Sequence, residues 1–326
     1  MAKMTYFDIP YVDKKVSRIF FGTAGNDFMF GKNCNELLDE IFATGVNTFD
    51  TARRYLLSEK ALGRWVNERG IRDQVVISTK CCHPSLLGTK RVNEVEMRKD
   101  WEASSKALGT DYFDIYLLHR DDPEMPVGEI VEAFNALHAE GKIGAFGGSN
   151  WTYVRVQEAN EYAYKHGLIP FSVSSPNFGL AEQVEDPWGG GCTTISGPQN
   201  ETGRAWYAEQ GMPIIAYSSL GRGLFSGRVK SDMSMDEVKK VLDGTAMKGY
   251  AYPQNMERLR RCEELAAEKG VTVPQIAMAW IYSQPVNTFA VVSTHSAKRM
   301  QQNIDALHIE LTETESKYLD LKVDHR

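Results

Sequence analysis

Short apolar runs alternate with longer amphipathic stretches along most of the chain. Eight of these runs are rich in β-branched and aromatic residues. They cover residues 19–21, 46–49, 75–79, 113–118, 143–147, 171–174, 213–217 and 289–292. Because the runs are continuously apolar rather than alternately apolar and polar, they indicate strands buried on both faces of a parallel sheet.

Between the apolar runs, hydrophobic residues recur at helical spacing. Several of these stretches end at a glycine that suits a helix C-cap, as Gly109 does. The predicted helices cover residues 35–43, 58–67, 92–108, 130–139, 152–165, 198–210, 253–269, 274–282 and 296–306. A series of eight strands, each followed by a helix, predicts an α/β fold of the (β/α)₈ TIM-barrel class.

A doubly wound nucleotide-binding sheet fits the chain less well, because it needs an early glycine-rich turn between strand and helix. Neither residues 22–31 nor residues 189–191 match the G-x-G-x-x-G spacing. Extra length lies in three insertions, at residues 1–18, 176–198 and 218–252. In the first insertion, residues 6–9 and 15–19 are predicted to pair as an N-terminal β-hairpin across the barrel bottom. With no repeat or linker in the sequence, we expect residues 1–326 to form one barrel domain.

Composition narrows the class of protein further. The chain is 42% hydrophobic and 25% charged, and its 37 Lys and Arg against 43 Asp and Glu give a net charge of −6. This acidic balance argues against a nucleic-acid partner. No apolar run suits a signal peptide or a membrane span, and the five cysteines are scattered. We therefore expect a cytoplasmic chain with reduced thiols, no membrane partner and no metal site. No oligomeric state is predicted.

Polar residues suited to proton transfer follow three successive predicted strands. Asp50 ends the second strand and Tyr55 follows five residues later, Lys80 follows the third, and His119 follows the fourth. Each of them alone has an ordinary structural explanation. Because catalytic residues of a barrel gather at the carboxyl ends of its strands, the set together indicates an active site. Charges at such a mouth are rarely buried without pairing.

Residues 22–303 resemble the aldo-keto reductase superfamily. The resemblance rests on a set of ordered motifs: Asp50-Thr51-Ala52, Tyr55, Glu59, Leu62-Gly63, Lys80, His119, Ser149-Asn150 and Tyr217-Ser218-x-Leu220-Gly221. It implies a (β/α)₈ barrel that uses NAD(P)H without a Rossmann domain. The missing glycine-rich fingerprint agrees with that implication.

The resemblance also implies a catalytic tetrad of Asp50, Tyr55, Lys80 and His119. Tyr55 is expected to exchange the proton as general acid and base, and Lys80 to lower its pKa from the ordinary value of about 10. Asp50 is expected to pair with Lys80, and His119 to orient the substrate oxygen. The isolated loop residue His83 is expected to be inert.

The resemblance also implies which residues contact the cofactor. Tyr217 matches the aromatic residue that stacks on the nicotinamide, and Ser149 and Asn150 match the pair that holds its carboxamide. Ser175 stands where the family often has a Gln, and its side chain reaches less far. The other expected contacts are Gly22, Thr23, Asp50, Ser218, Ser219, Leu220, Arg222, Gly223, Arg228, Ser293, Thr294, Arg299, Gln302 and Asn303.

The residues expected to bind the adenosine end of the cofactor favour NADP(H), with NAD(H) as an alternative. Arg299 matches the arginine that packs on the adenine and contacts the 2′-phosphate, and Gln302 and Asn303 match residues that bind the adenine edge. No acidic residue stands there to accept a hydrogen bond from a ribose 2′-hydroxyl.

The expected substrate is a small carbonyl or alcohol compound, contacted by Tyr55, His119, Trp151, Phe28 and Arg54. This mixture of aromatic and polar groups favours a polar aldehyde or ketone such as a sugar derivative, with an aryl aldehyde or aryl alcohol as the alternative. The glycine run at residues 189–191 is expected to supply flexibility.

Three other function classes fit less well. A non-catalytic NADPH-binding regulatory subunit, like the ion-channel β subunits of the superfamily, would not need the intact tetrad. A Schiff-base aldolase would need an uncharged lysine, whereas Asp50 should keep Lys80 charged. A metal-dependent hydrolase is disfavoured because the sequence contains no H-x-H motif.

Overall fold

Eight parallel strands close into a barrel in the computed structural model, which describes residues 2–85 and 87–326. A two-stranded antiparallel hairpin of β1 (Tyr6–Phe7) and β2 (Val16–Ser17) precedes them. The barrel strands are β3 (Ile19–Gly22), β4 (Thr48–Asp50), β5 (Val76–Cys81), β6 (Phe113–Leu118), β7 (Ile143–Ser149), β8 (Val173–Ser175), β9 (Ile214–Ala216) and β10 (Thr288–Val292). They neighbour one another in sequence order, and β10 closes on β3. The predicted TIM barrel with an N-terminal hairpin is confirmed.

The helices surround this barrel. They are α1 (Asn26–Met29), α2 (Asn35–Ala43), α3 (Ser58–Arg69), α4 (Glu94–Leu108), α5 (Val127–Ala139), α6 (Tyr153–His166), α7 (Glu201–Gln210), α8 (Met235–Val241), α9 (Gly244–Tyr250), α10 (Pro253–Lys269), α11 (Val273–Ser283), α12 (Ala297–Asp305) and α13 (Glu313–Leu319). Every predicted helix is present within a few residues of its predicted bounds. The sequence pattern does not predict the short helices α1, α8, α9 and α13.

The continuous apolar runs have the expected cause, because each strand packs on both of its faces. In β6, Ile115 and Leu117 point into the barrel interior, while Tyr116 and Leu118 join the core between the strands and the helices. This alternation follows the two-residue period of a strand.

The hairpin closes the amino-terminal end of the barrel. Ile9, from the loop that joins β1 to β2, belongs to the same buried cluster as the interior barrel residues. The ring of Phe7 packs edge-on against Phe289 at the start of β10, with 6.2 Å between centroids. The hairpin therefore fills the bottom, and the carboxyl ends of the strands form the opposite face.

An ion pair ties the hairpin loop to the barrel bottom. Lys14 Nζ lies 2.7 Å from Asp114 Oδ1, and an Arg72 nitrogen lies 2.9 Å from Asp114 Oδ2. The backbone amide of Ile77 also donates to Asp114 Oδ2, at 2.9 Å. Both oxygens of this buried carboxylate are therefore engaged in holding strands and hairpin together.

The insertion after β9 folds back onto the end of β8. Asn177 Nδ2 donates to the carbonyl of Tyr217 at 3.0 Å and to the hydroxyl of Tyr250 at 3.0 Å. A capping box between Ser234 and Glu237 begins α8. These contacts fix the long loop beside the barrel mouth. Among the residues described, no helix combines the length and apolar character that crossing a membrane requires.

Candidate active site

Lys80 and Asp50 form a buried ion pair at the barrel mouth. Asp50 is the last residue of β4, and Lys80 lies near the end of the neighbouring β5. Lys80 Nζ lies 2.6 Å and 2.7 Å from the two carboxylate oxygens of Asp50 and donates to the carbonyl of Thr51 at 2.9 Å. Both side chains are almost fully buried, with Lys80 4% and Asp50 6% exposed. The structure thus brings these two tetrad residues into direct contact.

The ion pair keeps Lys80 charged. Burial alone would lower the pKa of Lys80, but the attraction and hydrogen bonds of Asp50, with a contribution from Tyr55, raise it above its ordinary value. A lysine held in this way does not supply the uncharged amine that a Schiff base needs.

Tyr55 lies on the turn that follows β4, where its amide donates to the carbonyl of Ala52 at 2.9 Å. Lys80 Nζ is 5.4 Å from the centre of its ring. Burial raises the pKa of the Tyr55 hydroxyl, and the charge of Lys80 opposes that rise without cancelling it. Lys80 acts in the expected direction, because its charge lowers the pKa of Tyr55, but burial outweighs it, so the pKa stays above its ordinary value and Tyr55 is protonated at neutral pH.

His119 packs edge-on against Tyr55, with 5.6 Å between ring centroids. Its amide donates to the carbonyl of Cys81 at 2.8 Å, which places it at the end of β6 beside β5. Burial, followed by the charges of Lys80 and Arg120, holds the pKa of His119 well below its ordinary value. The imidazole is therefore neutral at neutral pH, and its Nδ1 is buried without a partner among the described residues.

His83 is not the isolated histidine that the sequence indicates. Its ring packs edge-on against His119, with 4.8 Å between centroids, and its Nδ1 lies 2.9 Å from the carbonyl oxygen of Pro84. The signal that identifies His83 is its position three residues after Lys80, at the carboxyl end of the same strand.

A hydrogen-bond network joins the ends of β6, β7 and β9. The hydroxyl of Tyr217 donates to Asn150 Oδ1 at 2.6 Å, and Asn150 Nδ2 donates to the carbonyl of His119 at 3.1 Å. Ser149 Oγ donates to the carbonyl of Ser175 at 3.0 Å, and Ser175 Oγ donates to that of Ile215 at 2.8 Å. Since each hydroxyl has one proton, both serines are left with acceptor capacity only.

The glycine-containing loop after β8 packs against this network, which the sequence does not indicate. Thr193 donates from its amide to Asn150 Oδ1 at 3.2 Å and from its hydroxyl to the Asn150 carbonyl at 2.9 Å. The rings of Trp188 and Tyr217 are 6.1 Å apart. The Arg222 guanidinium lies 5.1 Å from the centre of the Trp188 ring and pairs with Asp243 at 2.9 Å. Loop 186–193 is therefore one wall of the mouth.

The first and last barrel strands meet closely at the site. Ser293 Oγ donates to the carbonyl of Gly22 at 2.6 Å, and a Cβ added to Gly22 would lie 2.9 Å from that oxygen. Thr23 is buried and donates to the carbonyl of Asp50 from its amide at 2.9 Å and its hydroxyl at 3.1 Å. Ser219 is buried too, with its hydroxyl bonded to the carbonyl of Ala216 at 3.0 Å. The hydroxyl groups of Thr23 and Ser219 thus donate their hydrogen bonds to backbone carbonyls.

Unused donors gather on α12. Arg299, Gln302 and Asn303 stand at helical spacings of three and four residues, so they share one face. None of their side chains has a hydrogen-bond or ion-pair partner within the described part of the chain, and Arg299 is exposed. A cation and two amides can bind phosphate and the edge of an adenine, so the residues present are compatible with a nicotinamide dinucleotide. The remaining expected contacts, Ser218, Leu220, Gly223, Arg228 and Thr294, lie partly or fully exposed in the loops after β9 and β10.

The expected substrate contacts fall into two groups. Arg54 is exposed on the same turn as Tyr55. Phe28 packs against Phe21 with 5.7 Å between ring centroids and is 2% exposed, and Trp151 is 0% exposed. The structure therefore brings Arg54 to the mouth, whereas the rings of Phe28 and Trp151 are enclosed in the hydrophobic core.

The described residues contain no cluster of three or more His, Cys, Asp or Glu side chains that would hold a metal ion. The described cysteines are all free thiols.

Comparison with known proteins gives one family. A model of the Aldo/keto reductase family matches residues 18–324. The chain is similar to "Aldo-keto reductase AFTS1" of Alternaria alternata, at 26% identity over 90% of this chain and 83% of the relative. It is also similar to "Probable aryl-alcohol dehydrogenase AAD4" of Saccharomyces cerevisiae, at 29% identity over 87% of this chain and 86% of the relative. "Putative voltage-gated potassium channel subunit beta" of Schizosaccharomyces pombe is 26% identical over 88% of this chain and 81% of the relative.

Proposed function

Because the chain belongs to the aldo/keto reductase family, we propose that it transfers a hydride between NADPH and an aldehyde or ketone. The observation that carries this proposal is the arrangement at the mouth. The Lys80–Asp50 ion pair, the Tyr55 ring 5.4 Å from Lys80 Nζ, and the His119 ring 5.6 Å from that of Tyr55 lie together at the ends of three adjacent strands.

In reduction, Tyr55 gives its proton to the carbonyl oxygen. The hydride that adds to the carbonyl carbon would come from NADPH when it is bound, which would be oxidised to NADP⁺ as the carbonyl becomes an alcohol. Lys80 lies next to Tyr55 and stabilises the phenolate left behind, because a nearby cation favours the charged form of a phenol. Asp50 holds Lys80 in place, and solvent returns the proton to Tyr55.

His119 orients the substrate oxygen toward Tyr55. Its pKa is lowered well below the ordinary value, so the ring is a neutral hydrogen-bonding group rather than a competing cation. Its position is fixed from two sides, by the bond from its amide to Cys81 and by the bond from Asn150 to its carbonyl.

Residues at the ends of strands, in the loop after β9 and on α12 would hold the dinucleotide. Tyr217 would stack on the nicotinamide, with Ser149, Asn150 and Ser175 beside its carboxamide. Arg222 and Arg228 would compensate charge at the pyrophosphate, and the α12 face of Arg299, Gln302 and Asn303 would bind the adenosine end. The free guanidinium of Arg299 supports a preference for NADP(H) over NAD(H), because it pairs with a 2′-phosphate and has no such partner on a ribose hydroxyl.

The favoured substrate is a polar aldehyde or ketone such as a sugar derivative. Supporting this, the described mouth carries Arg54, Arg120 and His83 beside the rings of Trp188 and Tyr217. Oxidoreduction of aryl aldehydes and aryl alcohols is the second candidate. The relative named a probable aryl-alcohol dehydrogenase, aligned over most of both chains, favours it.

Titration of the protein with NADPH and NADH, followed by cofactor fluorescence, tests the proposal. A panel of carbonyl compounds, with glucose and benzaldehyde as the polar and aryl examples, is then assayed by NADPH oxidation. We expect NADPH to bind more tightly than NADH and the polar aldehydes to be reduced faster. Absence of NADPH binding at micromolar concentrations would contradict the proposed function.

A further inference from the structure

Two arginines at the mouth lack a counter-charge. Arg120 directly follows His119 and is half-buried, and its Nη1 donates to the carbonyl of His119 at 2.9 Å. Arg54 is exposed beside Tyr55. Within residues 2–85 and 87–326, neither guanidinium lies in an ion pair. A neutral carbonyl satisfies one N–H of Arg120 but does not compensate its charge.

The acidic residues that follow the same strands are already engaged. Asp121 and Asp122, next in the chain after Arg120, pair with other cations at 3.3 Å and 2.6 Å. Asp186, at the base of loop 186–193, accepts from two backbone amides at 2.7 Å and 2.8 Å, which satisfy its oxygens without compensating its charge, and no ion pair joins it to Arg120 within the described residues. Asp121 pairs with Arg155 and Asp122 with Lys90. The amides that donate to Asp186 are those of Trp188 and Cys192. The charge of Arg120 is therefore available for a ligand.

Arg120 reaches across the mouth beneath loop 186–193. A Cβ added to Gly191, whose φ is +78°, would lie 3.5 Å from Cδ of Arg120, so the loop crosses close over the arginine stem. Burial is the main cause of the lowered pKa of His119, and the charges of Arg120 and Arg54 add to it. The two guanidinium groups therefore lie within electrostatic range of the tetrad.

We propose that the substrate carries a carboxylate in addition to its reactive carbonyl, and that Arg120 binds this carboxylate with Arg54 as a second cation. The inference rests on the proposed function and names the substrate class for the same site. A guanidinium binds a carboxylate through two parallel hydrogen bonds, and a half-buried one is screened less by water than a surface arginine. Anchoring the carboxylate at Arg120 holds the substrate beside His119 and Tyr55, where its carbonyl is reduced.

A pair of aldehydes that differ only in charge tests this directly. 4-Formylbenzoate and its neutral methyl ester have aldehyde groups in closely similar surroundings. We expect kcat/KM to be about ten- to a hundredfold higher for the carboxylate than for the ester, which is the range of one charged hydrogen-bonded contact. Raising the ionic strength should shrink that ratio in the unmodified enzyme.

Substitutions then assign the effect to residues. Arg120→Met should bring the ratio of the two kcat/KM values close to one, and Arg120→Lys should restore part of it. Arg54→Met should lower the ratio by a smaller factor, because that side chain is exposed. Arg53→Met, which removes an equal charge from the adjacent residue, is the matched control and should leave the ratio within about twofold. NADPH binding and circular dichroism report whether each variant is folded.

The outcomes separate the two proposals. Turnover with equal kcat/KM for carboxylate and ester, or a ratio that Arg120→Met leaves unchanged, would overturn the anionic-substrate inference while leaving the reductase function intact. No turnover with any carbonyl would overturn the proposed function and this inference with it. A ratio that falls with Arg120→Met and not with Arg53→Met supports the inference.

Discussion

Two lysine–aspartate pairs, each with a buried carboxylate, lie at opposite ends of the barrel and have different surroundings. At the bottom, Asp114 accepts from Lys14 and the Ile77 amide and forms an ion pair with Arg72, so both of its oxygens are engaged in structural contacts. At the mouth, Lys80 contacts both oxygens of Asp50 and lies 5.4 Å from the ring centre of Tyr55.

The groups that surround each ion pair determine its role. Burial lowers the pKa of Lys14 in spite of Asp114, whereas the pKa of Lys80 is raised by Asp50 and Tyr55 in spite of burial. The bottom pair closes the barrel against the hairpin. The mouth pair holds a permanent cation beside an ionisable phenol. We therefore expect the bottom pair to govern stability and the mouth pair to govern the reaction.

Substitution of the two lysines should give the largest difference in activity between the two ends of the barrel. Lys80→Met removes the cation beside Tyr55, and we expect kcat for carbonyl reduction to fall about a thousandfold, within the range of assisted proton transfer. Lys14→Met at the bottom should leave kcat within about twofold. Steady-state NADPH oxidation measures both. Equal losses of kcat in the two variants would show that the ends of the barrel are not distinct.

Neutralising the bottom carboxylate tests the stability half of the comparison. Asp114→Asn leaves Lys14 and Arg72 without a counter-charge. We expect the free energy of unfolding to fall by about 3 kcal/mol, because two positive charges then lack their negative partner. Denaturant titration followed by circular dichroism measures the change. Activity at temperatures where the variant is folded should stay near that of the parent. A variant as stable as the parent protein would contradict the structural role.

Substitution on the α12 face should have a smaller effect, on cofactor binding rather than on the chemical step. Arg299→Met removes the free guanidinium from the adenosine end, and we expect KM for NADPH to rise about tenfold with kcat little changed. KM for NADH should stay nearly constant, because NADH lacks the 2′-phosphate. Equal effects on the two cofactors would place Arg299 outside the phosphate contact.

The pH profile should be nearly flat at neutral and mildly alkaline pH. Burial raises the pKa of Tyr55 against the pull of Lys80, so the proton needed for reduction is lost only above the ordinary value of about 10. Burial, with the charges of Lys80 and Arg120, lowers the pKa of His119, so that ring stays neutral above its ordinary value of about 6.5. We expect kcat/KM for reduction to vary less than about twofold between about pH 7 and about pH 9. A decline centred inside that interval would contradict these directions.

The sequence predicts the barrel well because the strand signal is local. Continuously apolar runs reflect burial on both faces, and glycines such as Gly109, with φ of 67°, stop helices where the left-handed conformation is needed. The tetrad is recognisable because its members end successive strands. The short helices α8 and α9 escape the pattern because each has only 7 residues, too few to display a periodic apolar face.

The rest of the site depends on contacts between distant segments, which spacing does not reveal. His83 lies against His119, Thr193 bonds to Asn150, and Gly191 crosses Arg120 only because the loops fold over the mouth. The pKa of Tyr55 is likewise set by how deeply the turn after β4 is buried, and the sequence shows Lys80 but not that burial.

In the proposed reaction Tyr55 is the proton donor at the barrel mouth, and the Tyr55→Phe variant examines that role without disturbing its neighbours. The substitution removes the hydroxyl and keeps the ring that packs against His119. NADPH binding is measured by fluorescence and carbonyl reduction by NADPH oxidation on the same preparation. We predict NADPH affinity close to that of the parent enzyme and no measurable reduction. Turnover comparable to that of the parent enzyme would contradict the account.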